Sequence, residues 1–159
     1  MLGSRSSLAG LKASQRRFHL VQLSSSQARL LAGARIGHLS TADTGGAAHV
    51  IPICYAFDGD SIYSVLDQKP KRTSLTRLRR VKNILANPQV ALVVDHYEED
   101  WSRLWYILVT GHAELMLEGD EREQAIVKLR EKYQQYRDMD IDMNPVIKIT
   151  PDKVVSWGI

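Results

Sequence analysis

His49-Val50-Ile51-Pro52-Ile53-Cys54-Tyr55-Ala56-Phe57-Asp58-Gly59-Asp60-Ser61-Ile62-Tyr63-Ser64-Val65-Leu66 decides the fold of this chain. Two runs rich in β-branched and aromatic residues flank Asp58-Gly59-Asp60. An Asp-Gly pair between two such runs predicts a tight hairpin, because glycine takes the positive φ that the turn demands. Strands joined by a tight turn are antiparallel. Residues 49–57 and 61–66 are therefore expected to pair as neighbours.

The same pattern continues on both sides. Upstream, Ser24 to Ala34 predicts a short helix with Leu30 and Leu31 inside, and Arg35 to Thr41 a strand carrying Ile36 and Leu39. Asp43, Gly45 and Gly46 mark the turn between that strand and His49. Downstream, Leu75, Leu78, Val81 and Leu85 recur at helical spacing with Ile84 beside them, which predicts a helix over 73–86. Thr73 or Ser74 is its expected N-cap and Asn87-Pro88 its stop. Gln89 to His96 reads as a buried strand. Leu104 to Leu117 reads as one bent strand or a strand pair, with Gly111 as a bulge. Asp120 to Tyr136 predicts an acid-capped helix with Ala125, Ile126 and Leu129 inward. Val146 to Trp157 predicts a last strand, interrupted near Pro151. Some six antiparallel strands with short helices predict a mainly β protein, a six-stranded barrel with peripheral helices.

Composition narrows the function classes. The chain has 159 residues, 44% of them apolar and 25% charged, the size and balance of one globular domain. Residues 21–159 are expected to form that domain, behind a basic tail at 1–20. The net charge of +3 conceals a division: residues 1–42 carry six cations and no acid, so the rest of the chain is at −3. The tail has the composition either of a transit peptide or of a surface tail. No apolar stretch approaches the ~20 residues of a membrane-spanning helix, and cytoplasmic residence is the expectation. Cys54 is the only cysteine, so no intrachain disulfide forms and no Cys-based metal site exists.

One cationic run asks for a ligand. Residues 68–94 contain no acid but hold Lys69, Lys71, Arg72, Arg77, Arg79, Arg80 and Lys82. Lys69, Lys71 and Arg72, with Thr73 and Ser74, sit where a helix is expected to begin, and helix N-termini attract anions. Those residues are the candidate anion site, and Arg77 to Lys82 are expected to face solvent. A nucleic-acid role is disfavoured by the net negative remainder and by the lack of aromatics among the basic residues. The five histidines, His19, His38, His49, His96 and His112, show no zinc-site spacing, so no metal is expected. Cys54 is expected as a buried small hydrophobe. Trp101 and Trp105 flank an acidic turn and serve either as core or as walls for a flat ring. With no acid, base or nucleophile set in view, any chemistry would come from a bound cofactor.

The chain resembles the split β-barrel flavin and deazaflavin oxidoreductases, the pyridoxamine-phosphate-oxidase-like superfamily, and within it the F-420-dependent branch of bacteria. The resemblance rests on Ile36 to Thr41, on Gly46 through His49-Val50-Ile51-Pro52, on Phe57-Asp58-Gly59-Asp60 and on Asp67-Gln68-Lys69-Pro70-Lys71-Arg72-Thr73. It continues through Asn83-Ile84-Leu85-Ala86-Asn87-Pro88 and Asp95-His96-Tyr97-Glu98-Glu99-Asp100-Trp101. It implies a homodimer with two cofactors at the subunit interface and hydride transfer to an unsaturated small molecule. It implies that Lys69 and Lys71, with Arg72 and Thr73, hold the cofactor's phosphate-bearing tail, and that the ring lies near Pro52, Val65 and Asp67 through backbone contacts. Coenzyme F-420 is the implied cofactor, with FMN as the alternative; the superfamily also contains haem-handling members. The chain ends at Trp157-Gly158-Ile159 without the Arg- and His-bearing segment of true pyridoxamine phosphate oxidases, so vitamin B6 chemistry is not expected.

Overall fold

A computed structural model describes residues 21–67 and 75–159. The expectations placed on residues 1–20 and 68–74 lie outside the described residues.

Helix α1 (Ser25–Gly33) leads into β1 (Gly37–Ala42), β2 (Ala48–Ile53), β3 (Ala56–Phe57) and β4 (Ile62–Val65). Helix α2 (Arg79–Ala86) separates these from β5 (Gln89–His96) and β6 (Trp105–Met116). Helix α3 (Asp120–Lys132) and a 3-10 turn (Gln134–Arg137) precede β7 (Val146–Trp157). The strands form one seven-stranded sheet in the order β2-β1-β5-β6-β7-β4-β3, and every pairing is antiparallel.

Among the described residues there are seven strands rather than the expected six because the run 49–57 breaks at Cys54 and Tyr55, which belong to neither strand. That break explains the shape. β2 and β3 are the two ends of the sheet, yet Ile53 and Ala56 are three residue steps apart. Three steps reach about 10 Å, whereas seven strands laid flat would hold the outer two roughly 29 Å apart. The sheet must therefore curl until its ends approach, giving the split-barrel form.

Local chemistry places the turns. Asp58 Oδ1 accepts the N–H groups of Asp60 and Ser61 at 3.0 and 2.8 Å, and Gly59 supplies φ +110° between them. Asp43 Oδ1 does the same for Gly45 and Ala47, both at 2.9 Å. Helix α1 begins with a reciprocal cap: Ser24 Oγ accepts from Gln27 N–H, and Gln27 Oε1 accepts from Ser24 N–H.

Two corrections concern α2. The α-helix starts at Arg79, after a 3-10 turn at Leu75–Arg77, and its N-cap position is Leu78, which offers no side-chain cap. Its inward face runs through Val81 and Ile84, so Leu85, about 100° further round, is 66% exposed rather than buried. Asn83 is buried instead and donates from Nδ2 to Thr41 Oγ1 at 3.0 Å.

A third correction concerns the bulge. Thr110 pairs with Lys153 and Gly111 with Pro151, so the extra residue is Asp152 on β7 and Gly111 lies opposite it.

The apolar residues divide into two cores. One fills the barrel and includes Leu39, Tyr55, Leu92, Ile107 and Ile149. The other lies between α3 and the far side of β3, β4 and β7, and includes Tyr63, Val65, Leu129, Tyr133, Tyr136 and Val146. Strand β4 is buried throughout because alternate residues point into the two cores.

Candidate functional site

Lys69, Lys71, Arg72 and Thr73 lie outside the described residues. The remaining expected contacts, Pro52, Val65 and Asp67, fall into two settings.

Asp67 stands just beyond the end of β4. The buried Tyr136 hydroxyl donates to Asp67 Oδ2 at 2.7 Å. Burial, followed by this bond, holds the Tyr136 hydroxyl far above the ordinary phenol range. The Arg80 guanidinium is half-buried and feels both groups; burial lowers its pKa and Asp67 works against that fall. The sequence expectation that residues 77–82 all face solvent thus holds for Arg77, Arg79 and Lys82 and fails for Arg80. Spacing alone could not single it out, since the acid whose charge it feels lies 13 positions earlier, beyond the end of β4.

Val65 is buried in the α3 core and paired with Val146 of β7, so its side chain is committed to packing. β3 covers only Ile62 and Tyr63, which leaves Ser64 and Val65 without a β3 partner on β4's other edge. Across that gap Ser64 Oγ donates to the Cys54 carbonyl at 2.8 Å. Cys54 itself is half-buried in the β2–β3 link rather than fully buried in a strand.

Tyr133 at the end of α3 pins this link. Its hydroxyl accepts the Tyr55 N–H at 3.0 Å and donates to the carbonyl of Arg35 or Tyr55, at 2.8 and 2.9 Å. Beside it, Lys132 Nζ is buried, finds no hydrogen-bond partner among the described residues, and stands 4.1 Å over the Tyr55 ring. Burial, then the nearby Arg35 cation, pushes this amine down from 10.5 to about 8, with Cys54 partly opposing. Between those two values the unfolded chain binds the additional proton, so folding stability should rise with pH from about 8 towards 10. Denaturant midpoints across that range should show the rise in the native protein and a flatter profile in Lys132→Met; equal slopes would clear Lys132 of the effect.

Pro52 belongs to the second setting. It is exposed on β2 and pairs in register with His38 of β1. His38 lines a cleft of about 500 Å³ with Asp95, His96, Trp105, Tyr106 and Trp157. His96 stacks on Trp105 at 6.2 Å between centroids and 22° between planes; Tyr106 stacks on Trp157 at 6.4 Å and 15°. Of the two tryptophans weighed as core or ligand walls, Trp105 is half-buried in this cleft, whereas Trp101 is 70% exposed and outside it. Flat aromatic side chains lining a cleft suit a planar ring. Among the described residues no group of three His, Cys, Asp or Glu side chains could hold a metal ion. Likewise among them, no helix is long and apolar enough to cross a membrane.

A family model described as pyridoxamine 5'-phosphate oxidase matches residues 25–155. The fold is similar to that of a conserved hypothetical protein from Mycobacterium tuberculosis, at 20% identity and TM-score 0.69 over 91% of this chain and 89% of that one. It is similar to an F420 reductase, at 23% identity and TM-score 0.60 over 84% and 98%. It is also similar to HutZ, a haem storage protein from Vibrio cholerae, at 13% identity and TM-score 0.65 over 86% and 94%. No curated protein matches the sequence.

Proposed function

The chain belongs to the pyridoxamine 5'-phosphate oxidase family, and on that premise we propose that it is an oxidoreductase working with a phosphate-bearing flavin-type cofactor, the deazaflavin F-420 ahead of FMN. The observation that carries this reading is the position of Asp67. It follows the end of β4, where Ser64 and Val65 have no β3 partner on one edge, and in sequence it stands two residues before Lys69. Lys offers the phosphate a mobile point charge and Arg a two-pronged donor. Backbone at Ser64–Val65 and Pro52 remains available to a ring edge, since Val65's side chain is packed away and Pro52 is exposed. The reduced cofactor would supply a hydride to an unsaturated small molecule.

The functional unit in this reading is a homodimer. Val50 is 58% exposed on β2, and Pro52, Val93 and Leu108 extend that outward face across β5 and β6 in neighbouring register. A second copy would cover this apolar surface and complete a site that one protomer leaves open.

The test is titration of the purified protein with F-420 and with FMN, read by fluorescence and calorimetry, followed by hydride transfer to a panel of quinones and enones. Micromolar binding of either cofactor supports the reading; binding of neither ends it. A second reading, a haem-binding protein without turnover, is favoured by His38 and His96 on the walls of the aromatic cleft. It requires that haemin bind with a Soret shift that His38→Ala or His96→Ala abolishes.

A further inference from the structure

We propose that the aromatic cleft at the ends of β1, β5, β6 and β7 is a binding site for a planar aromatic cation. Every residue involved lies in or beside that cleft, so the site stands apart from the cofactor reading.

Strand register builds a platform there. Asp95, Tyr106 and Trp157 stand opposite one another across β5, β6 and β7, and residues directly opposite in a ladder project from the same face. The row lays one carboxylate beside two stacked rings. Tyr106 and Trp157 are 40% and 55% exposed, so much of both rings stays open to a ligand. The cleft of about 500 Å³ falls within the ordinary range of small-molecule sites.

Charge selects among flat ligands. Residues 95–105 hold Asp95, Glu98, Glu99 and Asp100 against Arg103 alone. Arg103 is committed to Glu98 at 2.6 Å. Glu99 Oε1 stands 3.4 Å from the hydroxyl of Tyr97, which lines the cleft. Among the described residues no Lys or Arg lines the cleft, and Asp95 has the His38 imidazole, 3.8 Å away, as its ion-pair partner. Aromatic faces attract cations, and the carboxylates act in the same direction. A neutral ring would gain the stacking alone. A ring carrying carboxylates, haem included, would meet repulsion, so this inference and the haem reading predict opposite orders of affinity.

Three ligands of one shape make the test: N-methylacridinium, acridine and acridine-9-carboxylate. Each is titrated into the cofactor-free protein at pH 8, above the range in which imidazoles ordinarily carry charge, and read by tryptophan fluorescence and calorimetry. N-methylacridinium should bind roughly tenfold more tightly than acridine, and acridine-9-carboxylate most weakly. Asp95→Asn should remove most of the cation's advantage and leave acridine within twofold. High salt should shrink the same advantage. Trp157→Leu should weaken the cation and the neutral ring alike. Equal binding of cation and neutral ring, tighter binding of the carboxylate, or an advantage that survives Asp95→Asn would each overturn the proposal. Binding of none of the three also overturns it; if Trp157→Leu then dissociates a dimer in sedimentation, the cleft is an interface between copies of this chain. Melting temperatures separate misfolding from altered affinity, and the isosteric Asp95→Asn keeps the test open should Trp157→Leu fail to fold. Failure of F-420 and FMN to bind would end the cofactor reading and leave these outcomes unchanged.

Discussion

Gly111→Val should destabilise the fold by about 3 kcal/mol or more. A Cβ at this position would meet the Thr150 carbonyl oxygen at 2.2 Å, its carbon at 3.0 Å and Pro151 Cα at 3.1 Å. All three are backbone atoms, so no side chain can swing aside. Relief requires β6 and β7 to part at the point where Asp152 bulges out of their ladder. Those strands are the central pairing of the sheet, with the longest register of any two neighbours. Urea midpoints check the expectation. A shift smaller than about 1 kcal/mol would mean that the bulge accommodates a side chain and that the close approach is relieved at little cost.

Lys71→Ala should weaken cofactor binding by about 1.5–3 kcal/mol, roughly 10- to 150-fold, the usual worth of a hydrogen bond to a charged group. Arg77→Ala is the matched control, because Arg77 carries the same charge, is exposed and lies outside the expected anion site. Calorimetric titration of both variants with the cofactor that the native protein prefers decides the matter. Unchanged affinity in Lys71→Ala removes that residue from the site. Equal losses in both variants would show that general positive charge, rather than a specific contact, attracts the ligand. Raising the salt concentration distinguishes these cases as well, since a diffuse attraction is screened more than a direct, partly desolvated contact.

Much of the fold was legible in the sequence because its signals are local. The Asp58-Gly59-Asp60 turn carries its own mechanism, an aspartate that accepts the backbone N–H groups two and three residues on and a glycine at positive φ. The span of β7 agrees with the apolar pattern of 146–157, and β5 with that of 89–96. The reading weakened where two elements compete for a residue. Leu85 fits the helical spacing as well as Ile84 does, yet only the position of β1 and Thr41 decides that Asn83 turns inward and Leu85 outward. Likewise nothing local in 49–57 marks the break at Cys54–Tyr55. It exists because Tyr133, from a distant helix, takes the Tyr55 N–H that a continuous strand would have paired.

For the candidate site the division is sharper. By itself the sequence determined the antiparallel hairpin at Asp58-Gly59-Asp60 and the division of charge between residues 1–42 and the rest of the chain, both of which depend on residue type and short spacing. Only the tertiary structure decided that the Val65 side chain packs in the α3 core, that Pro52 pairs with a residue lining an aromatic cleft, and that Tyr136 bonds Asp67 while Arg80 feels its charge. Those facts arise from chain segments 13 and 69 residues from Asp67. Contacts of that range leave no periodic trace, because the curl of the sheet and the docking of α2 and α3 bring them together only after the local elements have formed.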